Sequence, residues 1–487
     1  MNRRNLIKRS AALAGIGALA GCNFGAGQSD RKPADDGSET PGGTSTTPEG
    51  AGRSRYGISF GNVVDAVADL GMDPEGNEPI DDALASTLDR GDTLVEFPPG
   101  TYYFAEEHRV DSVTNWGIRG LGDEPGDVRF VTTPGEGRYL VRTDGGLGQL
   151  VENITLDYSA ERKGSTGLVL RADDKIRVQD VEYVGYNPQH GDGSKISLVP
   201  MALKPDGRAV VDGLVRTGPT DIVSHGHLDG NSNDSCIWLG NRHKGELVIR
   251  NSHIENTGTN AIYASRTPGP VKILDSRFRN NNQTSLRIGG SGALVRNCQF
   301  VIDIENAHPD SNDFINPHSI VWETGELGQA GGRIEQCSFT CRSAPQQTMA
   351  AVWVDGSAGA FEIRDCEFDI QADGVQAIRI DDPRDPRLGA VPEKPWRATL
   401  RNVSAIGSSY AEPAIQLTGR PQSQFVGLYV DWSPYPHGIL LLNTEEVLFE
   451  NSTIQTMGSE IITMDATCHA PKGTSLSTCS VASRNSS

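Results

Sequence analysis

From Asn153 onward, apolar and polar positions follow a short recurring cassette of Asn or Asp, a small or apolar residue, a polar residue and an apolar residue. The cassettes begin at Asn153, Asp180, Asn251, Asp275, Asn297, Asp365 and Asn451, with a near match at Gln336 and weaker members at Asp212, Asn402 and Gly427. Starts at 251, 275 and 297, and again at 402, 427 and 451, lie 22 to 25 residues apart, and the other intervals run from 27 to 39. This period predicts a solenoid whose longer coils carry loop insertions.

A second alternating segment usually follows each cassette by about a dozen residues, which is typical of a further strand in the same coil. These segments are 236–239, 261–264, 285–288, 351–354, 377–380 and 414–417. Each coil therefore has at least two strands. Alternation directs Ile and Val inward, and stacked coils would place equivalent strands parallel, about 4.8 Å apart.

The Asn/Asp column predicts a tight turn, where a side-chain amide can bond the backbone of its own and neighbouring coils. Cys298, Cys337 and Cys366 occupy the cassette slot that Ser252 and Ser276 fill elsewhere. We interpret them as small core residues and not as metal ligands or catalytic thiols, since no Cys-x-x-Cys spacing is present. Cys468 and Cys479, in the polar tail, could form a disulfide outside the cell.

Composition narrows the function classes. The chain has 487 residues, 6% aromatic, with 56 Gly and 27 Pro, which excludes a helical bundle and a polytopic membrane protein. The net charge of -19 would repel a phosphate backbone, so no nucleic-acid partner is expected. There are 10 lysines against 34 arginines, a balance that indicates a halophilic host, with an acidic mesophilic protein as the alternative.

The N-terminus predicts export. Arg3 and Arg4 precede a short apolar run, 11–20, and the segment ends at Cys22. The pattern resembles a twin-arginine signal over residues 1–21 with a lipobox, so that Cys22 would carry a lipid and anchor the protein on the extracellular face of the cell membrane. The alternative is an ordinary secretory signal with a chance cysteine. Residues 22–54 predict a disordered Gly/Ser/Thr/Pro tether, 55–466 the repeat domain and 467–487 a polar tail.

Before the repeats, the segments 62–65, 73–84 and 92–102, the last containing Pro98-Pro99-Gly100-Thr101-Tyr102, resemble the N-terminal entry of the pectate-lyase-like superfamily. The resemblance covers residues 56–466. It implies an all-β fold, a right-handed parallel β-helix of about 11 coils, with a short capping helix at about 80–89.

That superfamily contains polysaccharide lyases, glycoside hydrolases, epimerases, viral tailspikes and nonenzymatic surface proteins, so the fold leaves the function open. The Asn-Thr-Asp and Arg-Ile-Lys motifs of polygalacturonases are absent from the chain. Their absence argues against a pectin hydrolase.

Alternation also predicts an outward column. If Ile262, Leu286, Val352, Ile378 and Ile415 point inward, the residues that follow them point outward on one face: Tyr263, Arg287, Trp353, Arg379 and Gln416, joined by Trp238. Aromatic rings can stack on sugars, and guanidinium groups can hold carboxylates or sulfates, so this column predicts binding of an acidic polysaccharide.

Two positions further along each strand, Asp355 and Asp381 form a carboxylate row with Ser265, Gly289 and Thr418, and Glu323 is a candidate from the intervening coil. Asp355 and Asp381 could act as acid and nucleophile in glycoside hydrolysis, or share a Ca²⁺ ion that promotes elimination, with Arg287 or Arg379 as base or charge clamp. The alternative is an acidic face whose arginines form ordinary ion pairs.

A second candidate is a cluster within 221–234. His225, His227 and Asp229 alternate, so on a strand they would share a face and could bind zinc or serve as an acid–base pair. A polar turn explains the same residues without chemistry. His308, Asp310, Asp313 and His318 are interpreted as a loop because Gly and Pro are dense there.

Two classes of function therefore stay open. One is a surface-anchored lyase or glycoside hydrolase that binds and cleaves acidic polysaccharide. The other is a noncatalytic glycan-binding or structural surface protein. A monomer is expected in either case. Paired carboxylates in a groove would favour the enzyme, and dispersed polar groups on a flat face would favour binding.

Overall fold

The chain is a right-handed parallel β-helix, as the sequence predicted, in which each regular coil contributes one strand to each of three faces. The computed structural model describes residues 54–159, 165–186, 196–220, 235–311, 314–387, 389–410, 412–433, 437–470, 476 and 480–481. Equivalent strands of successive coils pair in parallel, so each face is a continuous ladder along the helix axis.

Two faces meet at a sharp bend within each coil. The first face is built from β3 Asn62–Asp65, β4 Thr93–Phe97, β7 Val113–Gly120, β14 Arg208–Asp212, β17 Glu246–Arg250, β20 Val271–Leu274, β23 Leu294–Arg296, β26 Arg333–Glu335, β29 Phe361–Arg364, β32 Ala398–Arg401, β35 Gln424–Val426, β38 Val447–Glu450 and β41 Cys468–His469. The second face is built from β5 Gly100–Phe104, β8 Val128–Thr132, β15 Val215–Arg216, β18 His253–Glu255, β21 Arg277–Arg279, β24 Gln299–Asp303, β27 Ser338–Ser343, β30 Glu367–Ile370, β33 Ser404–Gly407, β36 Tyr429–Asp431 and β39 Thr453–Gln455. Two long strands, β10 Gly146–Tyr158 and β12 Asp174–Gly185, run through the bend and belong to both faces.

The third face is a 14-stranded parallel sheet. Its strands are β6 Arg109–Val110, β9 Gly137–Thr143, β11 Ser165–Ala172, β13 Leu198–Ala202, β16 Ile237–Trp238, β19 Asn260–Tyr263, β22 Thr284–Ile288, β25 Ile320–Trp322, β28 Ala350–Val354, β31 Gln376–Ile380, β34 Ile415–Thr418, β37 Ile439–Leu442, β40 Ile461–Met464 and β42 Ser480–Val481. The fold therefore has more coils than the eleven cassettes, because the coils before Asn153 lack the cassette.

Few elements lie outside the three faces. An antiparallel hairpin, β1 Ser54–Arg55 and β2 Ile58–Ser59, precedes the first coil. Helix α1, Asp81–Arg90, begins one residue after the predicted position and buries Leu84 and Leu88. Its Thr87 accepts a hydrogen bond from Trp116 Nε1 at 3.1 Å, which fixes the helix on the end of the solenoid. Short 3₁₀ turns cover Pro125–Asp127, Ile304–Asn306 and Gly325–Leu327.

The predicted Asn/Asp turn column is confirmed at the bend between the first and second faces. Its non-glycine members have left-handed backbones, with φ between 48° and 55°, a conformation that Asn and Asp tolerate better than most residues: 153, 180, 251, 275, 297, 336, 365, 402 and 451. Gly427 takes this position as predicted, but in the coil predicted to start at Asp212 the turn residue is Gly213, because Asp212 is the last residue of β14. The side chains also link coils, since Asn251 Nδ2 donates to Asp212 Oδ1 at 2.7 Å and Asn297 Nδ2 to Asp275 Oδ1 at 2.6 Å.

The interior is filled by ladders of like residues. Phe278, Phe300, Phe339 and Phe368 stack in sequence with ring centroids 5.2, 5.0 and 4.5 Å apart, close to the spacing of neighbouring strands. Cys298, Cys337 and Cys366 are buried free thiols in the serine slot, as predicted. Cys468 is disulfide-bonded, and Cys479 lies outside the described residues.

Candidate functional site

The predicted outward column exists on the third face. Parallel register pairs Trp238 with Tyr263, Tyr263 with Arg287, Trp353 with Arg379, and Arg379 with Gln416. Strand β25 was not predicted from the alternation of apolar and polar residues. It places Val321 in the column between Arg287 and Trp353. The preceding residue in each regular strand is fully buried, as predicted for Ile262, Leu286, Val352, Ile378 and Ile415.

Arg287 is held by a buried carboxylate. Its Nε donates to Glu323 Oε1 at 2.5 Å, and Ser265 Oγ donates to the same oxygen at 2.7 Å. The Tyr263 ring lies 4.6 Å from the guanidinium carbon. Burial alone would lower the pKa of Arg287, but the negative charge of Glu323 raises the pKa above its ordinary value. Arg287 is therefore a fixed cation that a single carboxylate only partly engages.

Trp353 is enclosed by other side chains. It is 6% exposed, the Arg387 guanidinium carbon lies 4.7 Å from its ring centroid, and the His318 ring lies 5.4 Å away. The indole Nε1 donates to Asp381 Oδ2 at 2.6 Å. In this arrangement Trp353 offers little ring surface to a sugar, and its position instead holds Arg387 over the third face.

The two predicted catalytic carboxylates have different surroundings. Asp355 is fully buried, and its oxygens accept hydrogen bonds from Ser357 N at 2.9 Å and Arg387 N at 3.3 Å. Asp381 has a side chain that is 21% exposed and accepts a hydrogen bond from Arg379 Nε at 2.9 Å. The arginine–carboxylate pairs that the sequence left as an alternative are thus present.

A fully buried arginine lies beneath both carboxylates. Arg420 donates to the backbone carbonyls of Asp381 at 3.0 Å and Asp355 at 3.3 Å, and also to those of Gly359 and Trp396. Burial lowers its pKa to about 10, although the nearby carboxylates oppose that shift. Arg420 fixes the backbone at the ends of β28 and β31, where Asp355 and Asp381 follow.

The outward column borders a cleft of about 190 Å³. We call it the arginine cleft and define it by Asn260, Thr284, Arg287, His318, Trp353 and Arg387. Three atoms of these residues are buried without a hydrogen-bond partner in the described chain: Arg287 Nη2, His318 Nε2 and Asn260 Oδ1. Unpaired buried polar atoms are costly, so this cleft has donors and acceptors that a ligand could satisfy.

The chemistry of His318 follows from its contacts. Its Nδ1 lies 2.7 Å from the Ala350 carbonyl oxygen, which can only accept, so Nδ1 carries the proton and Nε2 is an acceptor in the neutral ring. Burial lowers the pKa of His318 to about 4, and the positive charges of Arg387 and Arg379 contribute to the lowering. The neutral ring supplies an acceptor beside two guanidinium groups.

Solved structures with a similar chain path are distant in sequence. No protein-family model matches this chain, and no curated protein does. An A-module of a mannuronan C-5 epimerase of Azotobacter vinelandii has a TM-score of 0.44 and 12% identity over 86% of this chain and 100% of that chain. A surface adhesin of Streptococcus pneumoniae has a TM-score of 0.45 and 12% identity over 82% and 91%, and the Dettilon tailspike protein 0.45 and 12% over 81% and 72%. Similarity at this level carries no conclusion about activity.

Several predicted site residues lie elsewhere. His225, His227 and Asp229 of the predicted metal site, and Cys22 of the predicted lipid anchor, are outside the described residues. Within the described ranges, no three His, Cys, Asp or Glu side chains are grouped to hold a metal ion. The same ranges contain no helix with the length and apolar character needed to cross a bilayer. Trp238 and Gln416 occupy the outward column but do not line the arginine cleft.

Sequence reasoning missed four of the six residues that define the cleft. Arg387 comes from the long connection between β31 and β32, where no strand pattern assigns a direction. His318 belongs to the segment interpreted as a loop. Asn260 and Thr284 immediately precede the predicted strand segments 261–264 and 285–288. No periodic pattern in the sequence marks these four residues.

Two buried histidines predict a pH dependence of stability. Burial lowers the pKa of both His243 and His318 to about 4, whereas an unfolded histidine titrates near 6.5. Below pH 6.5 the unfolded chain binds protons that the folded chain does not, so the free energy of unfolding should fall as the pH falls towards 4. At pH 5 the expected loss is about 2 kcal/mol per histidine.

Urea unfolding of the wild type and His243→Asn at pH 7 and pH 5 measures this effect. The variant should lose about 2 kcal/mol less stability between the two pH values than the wild type. His469→Asn is the control, because His469 is exposed. Parallel pH dependences of all three proteins would contradict the prediction.

Proposed function

We propose that the protein binds an acidic polysaccharide along the third face, with the arginine cleft anchoring a carboxylate or sulfate group. The observation that carries this proposal is Nη2 of Arg287, a buried donor with no hydrogen-bond partner among the described residues, while Nε donates to Glu323. Arg387 lies on the same cleft with a side chain that is 47% exposed. Two guanidinium groups around one small cleft suit an oxyanion, since their hydrogen bonds are charge-assisted.

Charge distribution supports an anionic ligand. The protein carries a net charge of -19, yet among the described residues the charged side chains that line this cleft are Arg287 and Arg387. Their carboxylate partners are buried and do not line the cleft: Glu323 lies 2.5 Å from Arg287 and 3.6 Å from Arg387, and Asp355 lies 4.0 Å from Arg387. Guanidinium donors that line one cleft of an acidic protein would hold an anionic chain at that position, while the acidic surface elsewhere would repel it, which favours a defined binding register.

Cleavage of the bound chain requires a carboxylate that reaches it. Asp355 is buried and bonded to two backbone amides, and Asp381 is engaged by Arg379 and Trp353. These contacts favour the second candidate function, a noncatalytic glycan-binding surface protein, over a lyase or glycoside hydrolase. A Ca²⁺ ion shared by Asp355 and Asp381 stays a prediction.

A binding and cleavage screen tests the proposal. The full chain is incubated in high salt with acidic polysaccharides and with neutral polysaccharides of matched length, and binding is measured by affinity electrophoresis. Ultraviolet absorbance of unsaturated uronates and the release of reducing ends report elimination and hydrolysis separately. Equal retention by acidic and neutral polymers would contradict the proposal.

The proposal also places the protein on the outer face of the membrane through a lipid on Cys22. Arg3 and Arg4 would direct export, and the segment up to residue 54 would act as the tether. Cys22→Ser is expected to move the protein from the membrane fraction to the soluble fraction in its host, because the thiol is the only lipidation point in the signal. Arg3→Lys with Arg4→Lys should instead block export. If the Cys22→Ser protein stays in the membrane fraction as the wild type does, the lipid anchor on Cys22 is wrong.

A further inference from the structure

A second cleft lies around Trp396, where turns lead from the third face back to the first face. It consists of two adjoining cavities, of about 530 and 400 Å³, that share Trp396, Pro421 and Glu445. We call it the tryptophan cleft. We infer that it binds a neutral saccharide, independently of the acidic polysaccharide that the arginine cleft would hold.

Three stacked turns form the wall of the tryptophan cleft. Gly419, Asn443 and Asp465 occupy equivalent positions in successive coils, all with left-handed φ values of 67°, 48° and 51°. Backbone hydrogen bonds from Gly419 N to Leu442 O at 2.9 Å and from Asn443 N to Met464 O at 3.0 Å join them. The polar side chains of Asn443 and Asp465 therefore follow each other in successive coils, about 4.8 Å apart along the axis, which suits an extended ligand that follows the axis.

Trp396 supplies a fixed aromatic surface. The half-buried indole donates through Nε1 to the Pro392 carbonyl oxygen at 2.9 Å, which fixes the orientation of the ring. Lys394 Nζ lies 4.9 Å from the ring centroid, and the exposed Pro421 also lines the cleft. An indole beside a proline presents an apolar surface to the C–H face of a sugar ring.

The polar groups around Trp396 are of both signs. Lys394, Arg397, Glu445 and Glu446 line the larger cavity and are exposed, and among the described residues none of the four forms an ion pair. Unlike the arginine cleft, this site offers charged acceptors as well as charged donors. Sugar hydroxyls can donate to the carboxylates and accept from the cations, whereas a polyanion would be repelled by the carboxylates.

A buried hydroxyl gives an independent indication of a ligand. Thr444 is 1% exposed, lines the smaller cavity, and its Oγ1 has no hydrogen-bond partner among the described residues. A hydroxyl can both donate and accept, so a sugar hydroxyl would satisfy it in either direction. Cavities of this size, with one aromatic surface and a few convergent polar groups, are typical of small-molecule sites.

Calorimetric titration of the full chain tests the inference. The probes are neutral hexasaccharides of β-1,4-glucan, β-1,4-mannan and α-1,4-glucan, with a uronate hexasaccharide for comparison. At least one neutral probe should bind, and Trp396→Ala should weaken its binding about tenfold or more, as expected for a buried aromatic anchor. Thr444→Val should weaken it about threefold while leaving the thermal midpoint unchanged, since the hydroxyl has no partner to lose.

Arg387→Ala is the control, because Arg387 lines the arginine cleft and not the tryptophan cleft. It should leave neutral binding unchanged and reduce uronate binding. The inference is overturned if no neutral hexasaccharide binds, or if Trp396→Ala and Thr444→Val bind it as the wild type does. It is also overturned if Trp396→Ala reduces only uronate binding, because the cleft would then belong to the acidic site. Absence of uronate binding alone would count against the proposed function and not against this inference.

Discussion

Replacing Ile378 with aspartate is expected to lower the free energy of unfolding by about 3–5 kcal/mol or to abolish folding, because it places an unpaired charge in the core of the β-helix. Ile378 is fully buried in β31 and pairs in parallel with Val352 on one side and Ile415 on the other. Each coil depends on its neighbours for its core, so the effect should extend along the axis.

The adjacent residue provides the matched control. Arg379 points outward with a side chain that is 32% exposed and pairs with Asp381 at 2.9 Å. Arg379→Ala should cost less than about 1 kcal/mol, as is usual for a partly exposed ion pair. Ile378→Val should cost about 1 kcal/mol through the loss of one methylene group. Chemical unfolding in high salt measures all three, and equal shifts for Ile378→Asp and Arg379→Ala would contradict the strand register.

The second large effect concerns the arginine cleft. Arg387→Ala is expected to weaken binding of an acidic polysaccharide about tenfold or more, because it removes one of two guanidinium groups from the cleft. Binding by the wild type should weaken with rising salt more steeply than binding by the variant, since a charged contact is screened. Trp353→Ala should weaken binding as well, by releasing the Arg387 side chain that the ring holds at 4.7 Å.

Arg401→Ala is a close control for Arg387→Ala. The Arg401 side chain is 45% exposed and lies 3.6 Å from Glu362. The Arg387 side chain is 47% exposed and lies 3.6 Å from Glu323, so the two arginines have similar surroundings. Arg401 lies on the first face, away from the cleft, and the same change in net charge should leave binding nearly unaltered. Equal losses in the two variants would indicate a general charge effect, and no loss in either would exclude the arginine cleft as the anchor.

Local patterns predicted most of the architecture. The left-handed residue at each cassette depends on neighbours in the chain, so Asn153, Asn251 and Asp365 could be recognised one coil at a time. Strand alternation then set the direction of Ile378 and Arg379. Because the coils stack in parallel, the outward side chains of successive strands align in one column from Trp238 to Gln416.

The same patterns could not predict which side chains contact each other. Arginine at 420 would ordinarily be placed on the surface, but it is fully buried and caps four carbonyl groups from three separate segments. Asp355 was expected in a surface row with Asp381, yet it is fully buried. Its oxygens accept hydrogen bonds from Ser357 N in the turn after β28 and from Arg387 N in the connection after β31. Both outcomes depend on connections whose lengths differ from coil to coil.

The sequence by itself determined the repeat, the turn column and the inward core, because each of these arises from residues a few positions apart. The capping helix was predicted from the resemblance of the N-terminal segments to the pectate-lyase-like superfamily. Only the tertiary structure decided which outward groups meet. Ser265 and Glu323 are 58 positions apart, and Arg387 reaches Trp353 from an irregular connection. The candidate site is formed where long insertions fold back on regular strands, and no periodic pattern encodes that return path.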